Sequence, residues 1–232
     1  MNTLLTFKPA LGTECPSPFG VKAEALLKMS KLPFTKEFGD ILKAPRKKYP
    51  VLRTGPDGQL IPDSAHIQAH LENSHGINLD ASLTGPQKAV AAGFRRLIEH
   101  HLYFLNMHFR WHEHGDAIKN AFFREVPAPL RGFIFRKVQK TIFNLLHLQG
   151  LGRHSRDELI EFSREDLAAI SEQLADNPYF MGDKPSSIDA SLYGALHNII
   201  ECELNTPVKA LAMQHQNLVD YCPRFRQTVL ND

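Results

Sequence analysis

Pro50 stands at the entrance to an apolar run, Tyr49-Pro50-Val51-Leu52-Arg53, and its position limits the fold more than any other feature of the chain. Proline has a fixed φ and no amide to give to a ladder, so it suits the first position of a strand. The run reads as a short strand entered through proline. Gly55-Pro56-Asp57-Gly58 is dense turn chemistry, and Gln59-Leu60-Ile61 reads as the returning strand of a hairpin. Asp63-Ser64 then opens a helix whose apolar Ile67 and Leu71 fall four apart. A hairpin that feeds straight into a helix leaves backbone amides free at the helix start, and these amides, with the helix dipole, favour a carboxylate or phosphate. The plainer alternative is that Ser64 merely caps the helix.

The segment before this hairpin completes a small sheet. Leu4-Leu5-Thr6-Phe7 reads as a strand, followed by a loop with Gly12 and Cys15-Pro16-Ser17-Pro18. A helix follows with Val21, Ala25 and Met29 spaced by fours and Pro18 at its first position, and Pro33 to Phe38 reads as a second strand. This order predicts an α/β unit over residues 1–76, with a crossover first and an antiparallel hairpin last. Residues 77–85, Ile77 to Gly85, read as a linker, and 86–232 as an all-helical unit of 3.6-residue periodicity.

In the helical unit, Val90, Phe94, Leu97, Leu105 and Phe109 mark one face of a long helix from Gln87 to Glu113. A shorter helix is expected over Ala117–Arg124, a break at Pro127-Ala128-Pro129, and another helix over Leu130–Leu148. Ser155-Arg156-Asp157-Glu158 is a capping box opening a helix that buries Ile160, Leu167, Ile170 and Leu174. Ser186-Ser187-Ile188-Asp189 is a variant of that box. The helix after it carries Ile188, Leu192, Ala195 and Ile199 on one face and is kept thin by Ala190 and Gly194, which suits the centre of a bundle.

A hydrophobic content of 43% with fifteen Phe supports real cores. Lys plus Arg is 27 against 25 for Asp plus Glu, and a net charge of +2 makes no electrostatic case for nucleic acid. Cys15, Cys202 and Cys222 are odd in number and widely spaced, as reduced thiols in a cytoplasmic compartment would be. Met1 to Ala10 lacks the apolar core of a secretory leader, and no run reaches the ~18 apolar residues that read as a membrane span, so a soluble cytoplasmic protein is expected. His108, His112 and His114 with Glu113 resemble metal ligands, but a His pair does not complete a tetrahedral shell, and no metal is expected. Lys43, Arg46, Lys47, Lys48 and Arg53 form a basic stretch, either solvated surface or an attractor of carboxylate.

Taken together, Ser17-Pro18-Phe19, Tyr49-Pro50-Val51-Leu52, Asp63-Ser64 and Gly182-Asp183-Lys184-Pro185-Ser186-Ser187-Ile188-Asp189 resemble the glutathione transferase superfamily over nearly the whole chain. Pro16 to Lys22, Tyr179 to Pro185 and Asn217 to Cys222 look most like its metaxin and failed-axon-connections branch, whose members are less surely catalytic. The resemblance implies a thioredoxin-like α/β domain with an all-α C-terminal domain. It implies glutathione as co-substrate, with a cis bond before Pro50, the backbone of Tyr49 and Pro50 on the cysteinyl part, and Asp63 and Ser64 on the γ-glutamyl end. Ser17 takes the thiol-activating place, its plain alternative being an N-cap. Cys15 is the alternative nucleophile, forming a mixed disulfide with glutathione. Tyr103, Met107 and Trp111 border the implied pocket for a small hydrophobic electrophile, and equally suit a core stripe. A homodimer is implied by the superfamily's habit. A transferase, a metaxin-type adaptor without chemistry and a thiol reductase using Cys15 all stay open.

Overall fold

The computed structural model describes residues 1–55 and 58–231, so Pro56 and Asp57 of the expected hairpin turn lie outside the described residues. Strand β1 (Asn2–Thr6) leads through a loop into helix α1 (Pro18–Met29), and β2 (Phe34–Phe38) returns parallel to β1. Strands β3 (Val51–Thr54) and β4 (Gln59–Pro62) form the antiparallel hairpin, giving the order β2-β1-β3-β4. Helix α2 (Ser64–His75) closes this part. The exposed outer strand β2 carries Lys36 and Glu37 on its edge, which discourages further strand pairing.

Helices make up the rest: α3 (Gly85–Leu97), α4 (Tyr103–Glu113), α5 (Gly115–Phe122), α6 (Ala128–Gln149), α7 (Arg156–Leu174), α8 (Ser187–Leu196), α9 (Pro207–Ala212) and α10 (Gln216–Phe225). The single helix expected over Gln87–Glu113 is α3 and α4 joined by a widened π turn, Ile98–Leu102. A π turn takes up an extra residue, and each residue turns a helix by ~100°, so the apolar face of α3 is displaced from that expected. Val90 is consequently 42% exposed, while Ala91, Ile98, Leu102, Leu105 and Phe109 are buried. Helix α3 also starts earlier than expected, at a capping box between Thr84 and Gln87. Helix α6 begins at Ala128 because Pro129 fits a first turn, where its missing amide has no partner to lose. Leu159, next to the expected Ile160, is the fully buried residue of that turn in α7. Neither α9 nor α10 has a counterpart among the expected helices.

Every residue of α8 is buried, and the polar groups at its start are fully engaged. The Asp189 carboxylate accepts from the Phe180 amide (2.7 Å), the Ser186 amide (2.8 Å) and hydroxyl (2.9 Å), and the Tyr221 hydroxyl (2.9 Å). Burial pushes this carboxyl upward in pKa while the surrounding donors oppose the shift. Asp80, in the segment between α2 and α3, accepts from the amide and the hydroxyl of Ser187, both at 2.8 Å. One residue between the sheet and the helices thus holds the first turn of the central helix, where free amides need acceptors.

Helix α1 is pressed between the sheet and α8. Gly194 is the point of closest approach, because a methyl group there would collide with the carbonyl oxygen of Pro18. Replacing Gly194 with Ala should destabilise the fold by about 1–3 kcal/mol, the usual cost of overpacking. Gly93 faces open space, so Gly93→Ala should leave stability unchanged or raise it by about 0.5–1 kcal/mol through helix propensity. Urea midpoints of the two variants check the contrast, and equal midpoints would remove the argument for a tight α1–α8 seam.

Candidate functional site

The strand directions bring three loops to one end of the sheet. Leu5 pairs with Val51 and Val51 with Pro62, so the end of β1, the start of β3 and the end of β4 lie side by side. The Tyr49–Pro50 bond at that end is cis. The Asp63 amide donates to the Pro50 carbonyl at 3.0 Å, joining the start of β3 to the start of α2. Open α/β sheets commonly seat ligands at such a strand end.

Asp63 has φ +84°, a conformation that a non-glycine residue adopts at a cost of order ~1–3 kcal/mol. Its side chain accepts from the Ala65 amide at 3.0 Å and its carbonyl from the Ile67 amide at 2.9 Å. The helix cap is therefore Asp63, while Ser64 is a buried residue of the first turn rather than the cap. Tyr49 is buried with its ring edge-to-face on Phe7 at 5.3 Å, which leaves its backbone as the part at the sheet end.

Ser17 precedes α1 in extended backbone, and its carbonyl accepts from the Gly20 and Val21 amides. Its side chain makes no capping bond to the helix. The plain N-cap alternative therefore lacks its hydrogen bond, and Ser17 as a residue is half-buried beside a helix start. Cys15 is differently placed. Its thiol is buried against Thr6 Oγ1 at 3.2 Å, and burial pushes its pKa up, with the bonds from Thr6 and Ser17 only partly opposing that. A side chain at Gly20 would come within 2.6 Å of Thr6 Oγ1 and would crowd Cys15 Sγ, so the small residue keeps the thiol enclosed. A nucleophilic thiol needs exposure and a lowered pKa, and Cys15 has neither.

The loop carrying Ser17 is held from the helical side. Asn198 Nδ2 donates to the Cys15 carbonyl at 3.2 Å and Arg110 Nη1 to the Pro16 carbonyl at 3.3 Å. Beside the loop lies a narrow cleft of about 20 Å³, room for about one water, lined in part by Phe19, Lys22, Tyr103, Asn106, Ser191 and Asn198. Asn198 belongs to a second π turn, His197–Glu201, and Glu99, also in the wall, to the first. Such turns recur at functional sites because they re-aim side chains. Of the three aromatic or sulfur-bearing residues expected at an electrophile pocket, Tyr103 lines this cleft and packs edge-to-face on Phe19 at 4.9 Å. Met107 is buried, and Trp111 stacks on Phe135 at 6.2 Å in a separate apolar cluster.

Lys22 is a residue that sequence reasoning missed. It is 1% exposed on α1, and its ammonium donates to Glu99 at 2.6 Å, while Ser191 on α8 donates to the same carboxylate at 2.8 Å. Burial pulls the Lys22 pKa down, and Glu99 and more distant Asp63 oppose it. Little in the sequence signals it, since α1 also carries Glu24 and Lys28. Of the basic stretch, Arg53 pairs with Glu37 at 2.6 Å across the sheet, whereas Lys43, Arg46 and Lys48 are exposed near the strand end described above.

Among the described residues, no group of three or more His, Cys, Asp or Glu could hold a metal ion. His108 stacks on His112 at 4.2 Å, and His112 on Phe143 at 3.8 Å. No described helix is long and apolar enough to cross a membrane.

A family model for the glutathione S-transferase N-terminal domain matches residues 18–116, and one for the C-terminal domain matches 163–225. The chain is 33% identical over 239 residues to the isoprene-epoxide–glutathione S-transferase of Rhodococcus sp. strain AD45, covering 98% of each. It belongs to the glutathione S-transferase family. Within that family it also matches Failed axon connections of Drosophila melanogaster, at 26% identity over 93% of this chain and 55% of that protein. Human Metaxin-2 matches at 23% identity over 82% of this chain and 72% of its own length. A glutathione S-transferase of Ceriporiopsis subvermispora, crystallised with glutathione, shares the fold with a TM-score of 0.65 at 16% identity, covering 97% of this chain and 96% of that one.

Burial, helped by His112 and opposed by Glu113, holds the His108 imidazole at about 4. The neutral ring is thus preferred in the fold, and unfolding takes up a proton. This contribution to stability is complete above the ordinary value of 6.5 and is lost as pH falls towards 4. Melting temperatures between those values should fall less steeply in His108→Gln than in the parent protein; parallel curves would contradict the assignment.

Proposed function

We propose that this chain is a glutathione transferase that joins the thiol of glutathione to a small apolar electrophile. The observation that carries the reading is the Ser17 hydroxyl, which makes no capping bond at the start of α1, at the sheet end shared with cis-Pro50 and the strained Asp63. In this reading, residues 1–76 hold glutathione. The backbone of Tyr49 and Pro50 pairs with its cysteinyl part, Asp63 takes its ammonium, and Ser64 with the α2 amides takes its carboxylate. Lys43, Arg46 and Lys48 supply positive field for its far carboxylate. Ser17 donates to the thiolate sulfur and so lowers the thiol pKa, the proton leaving to water. The bound sulfur faces the cleft beside Phe19 and Tyr103.

The name of the bacterial relative points to an epoxide as the electrophile class. The thiolate attacks a ring carbon, forming C–S as C–O breaks, and the alkoxide takes a proton from water to give a thioether alcohol. Identity to that enzyme, 33%, exceeds that to Failed axon connections, 26%, and Metaxin-2, 23%, which favours chemistry over the adaptor reading. The enclosed Cys15 thiol argues against a thiol reductase.

Ser17→Ala should cut turnover of a small epoxide with glutathione by about 10²-fold, the loss expected for one donor to a developing or resting anion, while glutathione still binds. Retention on immobilised glutathione without turnover in the parent protein would support the adaptor instead. Asp63→Gly separates ligand from cap. Glycine relieves the positive φ and costs only a few tenths of a kcal/mol as a cap, so stability should hold or rise while glutathione affinity falls at least tenfold. Unchanged affinity in a calorimetric titration would return Asp63 to a purely structural role.

A further inference from the structure

Arg110, on α4, is a buried cation whose binding capacity is almost unused. It is 8% exposed, and its guanidinium offers five donors in a fixed fork. Nη1 reaches the Pro16 carbonyl at 3.3 Å, and Nε is buried with no partner among the described residues. The titratable groups that act on it are Cys202, which follows the second π turn, Tyr103 on α4 and Cys15 in the loop; none is a carboxylate. Among the described residues its guanidinium enters no ion pair with Asp or Glu. A charge removed from water without an anion costs several kcal/mol, so the arrangement is an ion pair lacking one member.

The position of the missing anion follows from the chain. Tyr103 and Asn106 on α4 wall the cleft, and Arg110, four residues further on the same helix and outside that wall, reaches the carbonyl of Pro16, the residue bonded to Ser17. We propose that Arg110 is the counter-charge for an anionic sulfur at Ser17, a site that accepts the thiolate of glutathione. This inference rests on the reading above and adds to it a second group acting on the same sulfur. A hydroxyl donor and a cation are complementary: the first orients the sulfur, and the second favours its charged form wherever the proton goes. Asn198 independently holds the Cys15 carbonyl, so the loop keeps a tether when Arg110 is replaced.

The test follows the ultraviolet thiolate absorption of bound glutathione, and kcat/KM for an epoxide, against pH in the parent protein and in Arg110→Met, Arg110→Lys and Ser17→Ala. Arg110→Met should raise the pKa of the bound thiol by about one unit, the lower end of the effect of a nearby opposite charge. Its kcat/KM should be about tenfold low at neutral pH and recover in alkali, and Arg110→Lys should keep most of the parent profile. A rate that falls equally at every pH, with the thiol pKa unmoved, would make Arg110 a mere prop of the loop and overturn the proposal. If Arg110→Met fails to fold, Arg110→Gln, which can still donate to Pro16, carries the same measurement. Absence of glutathione binding by the parent protein overturns both readings. Ser17-dependent turnover with an unmoved Arg110→Met profile overturns this one alone.

Discussion

The contact between α1 and α8 is the constraint on which the rest of the structure depends. Helix α8 has no exposed residue, so it can be placed only by what it touches, and at Gly194 it touches the backbone of Pro18. That contact sets the height of the first turn of α1 relative to the helical part. Ser17 immediately precedes that turn, and its loop is then fixed by two hydrogen bonds from the same helical part, to the carbonyls of Cys15 and Pro16. A close backbone approach, available only where a side chain is missing, thus controls where a hydroxyl stands.

Polar groups reinforce this seam at a cost that burial makes high. Lys22, Glu99 and Ser191 link α1, the first π turn and α8 through one carboxylate. Removing one partner of such a group strands the others, whereas the intact group adds little net stability. Its contribution is geometric: it admits one relative placement of the two helices and one wall for the cleft. Asp189 acts in the same way at the start of α8, where four donors converge on a single side chain.

The sheet, its crossover and the hairpin were legible because their signals are local: Pro50 at a strand entrance, Pro18 at a helix start, Asp63 before an apolar spacing. The capping boxes at Ser155 and Ser186 were legible for the same reason. What the sequence hid is long-range. The partner of Lys22 is 77 residues away and that of Arg110 is 94, and no spacing rule joins them. The displaced face of α3 was hidden because a π turn inserts its extra residue without a glycine or proline to announce it. Helices α9 and α10 are short, and Pro223 interrupts the pattern of the second. At the candidate site, the backbone groups around Pro50 and Asp63 were accessible to reasoning, whereas the enclosure of Cys15 depends on Thr6 and Gly20 meeting it in space.

The clamp of Asp80 on Ser187 reaches further than its two hydrogen bonds suggest. It ties the strip of chain leaving the sheet to the innermost helix of the bundle, so that strip is no hinge. The two parts cannot swing apart to admit a guest without uncapping the core itself. Any parting along this strip would leave the first amide and hydroxyl of α8 without the carboxylate that receives them.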